Sequence, residues 1–186
     1  MLSQANLKEA FSVYLEELDR CCLAKCYWAM LHIIVIFPDL CGALESKNGK
    51  ASPKKYEDWC CRYLNQELSP ENWYELRCAL LHQGHTFKHG RFRFSFGQPA
   101  PDGSDRHNTV FGQPDGQTRI LDVDRLCILI TQALRQWFRD LEEGKDKEKV
   151  RNVEANLPCI AKVDERTSEM VQGGSFVNLN TSSILR

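Results

Sequence analysis

Apolar positions recur with helical period over most of the chain. Leu7, Phe11, Tyr14, Leu15, Leu18 and Cys22 form one stripe. The pattern predicts continuation through Cys26 into the apolar run at 27–37, with a break near residues 20–24. Pro38 is expected to force a turn, because the residue before a proline is pushed out of the helical region. A membrane-spanning helix needs ~20 apolar residues, so the run at 27–37 reads as a core helix and no membrane contact is expected. Two further helix starts are explicit: Ser52 before Pro53 and Ser69 before Pro70 each set a capping hydroxyl ahead of a proline in the first turn. The helices they open carry Tyr56, Trp59, Cys60, Tyr63 and Leu64, then Trp73, Leu76, Leu80 and Leu81. Gly84 is placed to end the second.

The period then changes. Residues 87–117 are rich in glycine and proline, and Arg91, Phe92, Arg93, Phe94, Ser95 and Phe96 alternate as a strand does. Helical spacing resumes at Leu121 with Leu126, Leu129, Ile130, Ala133, Leu134, Trp137, Phe138 and Leu141, and stops at Gly144 before a charge run. The predicted fold is all-α: a four- to five-helix bundle with a small β-hairpin insert before the last long helix. The bundle is assigned to residues 1–146, with the insert at about 86–120. Residues 147–186 read as a peripheral C-terminal arm or partly ordered tail.

Composition narrows the class. At 186 residues, 42% hydrophobic and 26% charged, the chain suits one globular domain. A formal net charge of −1 argues against a strong unspecific polyanion binder and leaves room only for a local basic patch. Nine cysteines, with adjacent pairs Cys21–Cys22 and Cys60–Cys61, make a poor disulfide framework, and residues 1–9 do not read as a signal peptide, so secretion is not expected. Reduced thiols and a cytoplasmic location are expected.

The richest chemistry lies at 73–84, where Arg77 and His82 stand late in a helix. A histidine can take the proton of a ribose 2′-hydroxyl or protonate a leaving oxygen, and a guanidinium can hold the phosphate. That pairing suits phosphodiester cleavage and needs no metal. Five residues correspond to ~140° around an α-helix, so one chain does not aim both groups at one point unless the helix end distorts. Two copies about a two-fold axis could bring them into one cleft.

An Arg followed by four residues and His, late in a helix of a bundle, resembles the HEPN superfamily. The wording from Pro38, Asp39 and Leu40 to Glu45, and from Tyr74 to Gly84, is also similar to a group of small bacterial proteins. The resemblance implies a homodimer with a composite site and metal-independent endoribonuclease activity on RNA. It further implies a role in toxin–antitoxin or antiphage defence, with an antitoxin protein as a partner, and assigns the catalytic pair to Arg77 and His82. It also implies an alternative, since some members are inactive and only bind RNA or protein. Active members usually carry a polar residue directly after the Arg, where this chain has Cys78.

Other constellations are weaker. Asp39 and Glu45 could orient Arg77 or His82, or Asp39 could simply cap a turn. Lys88, Arg91 and Arg93, interleaved with Phe, could meet RNA phosphates, although such alternation is also the signature of a half-buried strand. His82, His85 and His89 share a helical spacing, but glycines interrupt it and no carboxylate accompanies them. Cys22, Cys26, Cys60 and Cys61 lack the Cys-x-x-Cys turns of a zinc site and read as small buried hydrophobes. No metal is expected. No phosphate loop or dinucleotide fingerprint is present, so no cofactor is expected either.

Overall fold

In the computed structural model, the described residues are 3–64, 67–84, 92–97, 105–113, 116–160, 162–164, 169–172 and 175–177. Among them are six helices. Helix α1 (Gln4–Leu23) starts at Ser3, whose hydroxyl accepts from the Asn6 amide. It buries Leu7, Phe11 and Leu18, the stripe read from the sequence. The chain reverses through residues 24–26, where Lys25 takes a left-handed φ of 55° and the Cys26 amide donates to the Cys21 carbonyl.

Helix α2 (Tyr27–Leu44) then runs straight through Pro38, against the expected turn. A proline inside a helix removes one donor and crowds the carbonyls of the preceding turn. The buried Tyr56 hydroxyl lies 3.2 Å from the Val35 carbonyl and 3.4 Å from that of Trp73, one position beyond the Ile34 carbonyl that the proline leaves without its usual donor. The longer helix is 18 residues with mean hydropathy 1.6, long and apolar enough by composition to cross a membrane. Half of it is buried inside the bundle. Met30, Leu31, Ile34, Val35, Phe37 and Cys41 face the core.

Helices α3 (Pro53–Tyr63) and α4 (Pro70–Cys78) begin as predicted: Ser52 accepts from the Lys55 amide and Ser69 from the Asn72 amide. Gly42 lets α2 and α3 approach closely, since a Cβ there would lie 3.1 Å from the Lys55 carbonyl oxygen. The long helix α5 (Val123–Glu143) is capped by Asp122 and stopped by Gly144 in the left-handed region. It closes the core, where Phe11 stands between Phe37, Trp137 and Phe138 with ring centroids 5.6–6.2 Å away. Aromatic packing of this kind adds to the area term.

The insert supplies strands β1 (Phe92–Gly97), β2 (Val110–Gln113) and β3 (Gly116–Asp122), in the order β1-β3-β2. The β2–β3 hairpin directly precedes α5, and β1 joins its far edge in parallel, with Phe94 opposite Arg119. Helix α6 (Lys147–Asn156) lies in the stretch expected to be an arm, and is instead built into the bundle. Val153 is fully buried, and the side chains of Asn152 and Asn156 donate to the carbonyls of Leu44, Glu45 and Ser46. The Leu44 and Glu45 carbonyls end α2 and have no partner within it, so α6 supplies donors there, while Ser46, just beyond, also accepts from the Gly49 amide. Beyond it, β4 (Lys162–Asp164), β5 (Glu169–Gln172) and β6 (Ser175–Val177) form an antiparallel sheet that the polar composition did not reveal.

Candidate functional site

Arg77 closes α4, and the next residues do not continue it. Ala79–Gln83 forms a π-helical turn, ended by Gly84 at φ 62° with its amide bonded to the Ala79 carbonyl. Wide i→i+5 bonding takes up one extra residue, so groups five apart stack much as groups four apart do on an α-helix. Arg77 Nη1 and His82 Nε2 are therefore 2.7 Å apart within one chain. Among the outcomes open to the sequence, the helix end distorts, and no second copy is needed for the two side chains to meet.

A guanidinium can only donate, so the imidazole accepts at Nε2 and carries its hydrogen on Nδ1. Arg77 is held from its other side by Asp39, with Nε to Oδ2 at 2.7 Å. Pro38 precedes that carboxylate, and because α2 continues through the proline, Asp39 points from the C-terminal part of one helix at the end of another. The side chains of Arg77 and Asp39 are only 20% and 16% exposed, whereas His82 is exposed. Burial works against the Arg77 charge, but the Asp39 hydrogen bond and carboxylate more than offset it and hold the guanidinium above its usual value.

Cys78 and Tyr74 complete the wall. Burial raises the Tyr74 phenol, and the neighbouring Cys78 raises it further. Cys78, directly after Arg77, is itself half-buried. Tyr74 was not singled out from the sequence. Its spacing of four from Cys78 on a helix was the available signal.

Glu45 does not join this group. Its Oε1 accepts from Trp137 Nε1 at 2.7 Å and lies 3.6 Å from Lys149 Nζ, while Oε2 pairs with Arg62. Both oxygens are thus engaged with α3, α5 and α6, and of the two carboxylates only Asp39 meets Arg77. Lys88, Arg91, His85 and His89 lie outside the described residues. Arg93 sits on β1, but its side chain lies outside the description. Among the described residues, no cluster of three or more His, Cys, Asp or Glu side chains could hold a metal ion.

A second polar group surrounds Glu67. His107 Nδ1 accepts from the Asp122 amide at 3.0 Å, so its Nε2 donates to Glu67 at 2.9 Å. Asn108 and Arg119 donate to the Glu67 carbonyl. His107 is 1% exposed with both ring nitrogens used, which makes it a pin between the insert and the turn before α4.

Comparison of the chain with protein-family models, with curated proteins and with solved structures gives no match in any of the three.

Proposed function

We propose that Asp39, Arg77 and His82 form the site of a HEPN-like, metal-independent endoribonuclease, of the kind used in toxin or antiphage systems. The observation that carries this reading is the 2.7 Å contact between Arg77 and His82, with Asp39 behind the arginine. The lone pair of His82 Nε2 already points at the position that a phosphate held by Arg77 would border. An incoming phosphate competes with the imidazole for the guanidinium protons and frees Nε2 to take a ribose 2′-hydroxyl proton. The 2′-oxygen then attacks the phosphorus, the bond to the 5′-oxygen breaks and that oxygen takes a proton from water or from the His82 imidazolium, and Arg77 offsets the charge on the phosphoryl oxygens. The products are a 2′,3′-cyclic phosphate and a 5′-hydroxyl. In a homodimer, two such sites could face one RNA. An antitoxin protein would act by covering them.

A second reading is a catalytically silent RNA- or protein-binding module. Cys78 beside Arg77 favours it, as does the pairing of Arg77 with Asp39, which neutralises the guanidinium. Incubation of total RNA with the protein in EDTA, beside His82→Ala and Arg77→Ala, separates the two. The nuclease reading expects cyclic-phosphate ends with wild type and a loss of roughly 100-fold or more in each variant. Cleavage that survives in both variants removes it. RNA retention without cleavage by wild type establishes the binding module.

A further inference from the structure

Cys22 and Cys127 are 105 positions apart in the chain, on α1 and α5, yet their sulfurs are 3.1 Å apart. Theirs is the one sulfur–sulfur contact among the described residues, and all nine cysteines are free thiols. A disulfide needs ~2.0 Å, so the two sulfurs must approach by roughly 1 Å. Both side chains are half-buried, leaving them accessible to a small reagent. The same two helix ends are tied next door by the Lys25 Nζ–Asp124 Oδ2 pair at 3.2 Å, which keeps the thiols in register.

We propose that Cys22 and Cys127 are a reversible disulfide site, oxidised by a small-molecule disulfide of the glutathione class, which staples α1 to α5. Burial, and then the hydrogen bond to Cys22, pushes Cys127 up to about 12, which holds it in the thiol form at neutral pH. Cys22 thiolate attacks one sulfur of the small disulfide, forming a mixed disulfide and expelling one small thiolate. Cys127 then loses its proton to solvent and attacks the Cys22 sulfur, expelling the second. Two protein thiols are oxidised, one small disulfide is reduced to two thiols, and electrons balance.

Cys21 and Cys26 are the competing pair, because they flank Cys22 and are joined through the Cys26 amide and the Cys21 carbonyl. Cys26 is exposed, as are Cys61 and Cys159, and open to capping by a reagent. It has no sulfur partner at contact distance, so its adduct is expected to stay mixed.

The test incubates the full-length protein with oxidised and reduced glutathione at graded ratios, then blocks free thiols and maps peptides without reduction. The expected product is a peptide linking Cys22 to Cys127 that disappears on reduction. Closing so long a loop constrains the unfolded chain, and the Tm of the oxidised protein rises by about 5 °C or more. Cys22→Ser and Cys127→Ser each lose both effects, while Cys26→Ser keeps them. The inference is overturned by a linked peptide joining Cys21 to Cys26, or by mixed glutathione adducts alone at the most oxidising ratio. The wild-type peptide map decides the matter even if a variant folds poorly, and its outcome is independent of RNA cleavage.

Discussion

Asp39 and Glu45 stand near the same end of α2 and do different work. Asp39 turns toward α4 and holds Arg77 by its Nε, leaving Nη1 for His82. Asp39→Asn weakens that grip, and RNA cleavage is expected to fall by roughly 100-fold, the scale of a misplaced group. A cleavage assay at matched folded concentration checks it, and an unchanged rate removes Asp39 from the site. Glu45 turns toward the core and meets Arg62, Trp137 and Lys149. Glu45→Ala strands the indole N–H and two cations, at a cost of about 2–4 kcal/mol in urea melts. Cleavage by the folded fraction is expected to be unchanged. Nothing in the local sequence separates the two carboxylates, because the difference is where each helix face points after packing.

At the scale of elements, the π turn decides whether Arg-x-x-x-x-His is a site. Helical periodicity alone put the two side chains ~140° apart. One extra residue in the turn brings them together, and Gly84 ends it in the left-handed region. Deleting Leu81 should restore α-helical bonding and place the histidine four positions after Arg77, a spacing at which α-helical neighbours meet. The deletion is therefore expected to retain cleavage. Inserting an alanine after Leu81 displaces His82 and is expected to abolish it. Rates for both, with circular dichroism to confirm folding, check the geometry. The proline in α2 teaches a related lesson. Pro38 reads as a stop in isolation, yet the helix continues because the residues on either side of it, Ile34, Val35, Phe37 and Cys41, are all buried in the bundle core. The capping serines were legible because Ser52 and Ser69 bond within their own first turns.

Whole-molecule behaviour follows from how α3, α5 and α6 close on α2. Tyr63 on α3 donates to Asp140 on α5 at 2.9 Å, and burial together with that bond holds its phenol well above the ordinary value. A raised value favours the protonated native state. Its stability contribution is complete below the unfolded value of ~10 and is lost as pH rises toward the native value. Stability in urea is expected to decline more steeply above that pH in wild type than in Tyr63→Phe, and equal slopes would refute the assignment. Helix α6 belongs to this closure as well, since its asparagines complete the end of α2. Polar, charged and short, it carries little periodicity of its own, which is why its sequence resembles a tail.

The sequence by itself determined the helical class, the capped starts of α3 and α4, the buried stripes of α1 and α5, and a hairpin ahead of α5. Each rests on bonds or periods confined to a few neighbouring residues. Only the tertiary structure decided that α2 passes through Pro38, that β1 joins β3 in parallel, that α6 is part of the bundle, and that Arg77 meets Asp39 and His82. These depend on groups far apart in the chain packing together and satisfying one another's exposed donors and acceptors, or on one residue of slack in a helix. No local pattern encodes either.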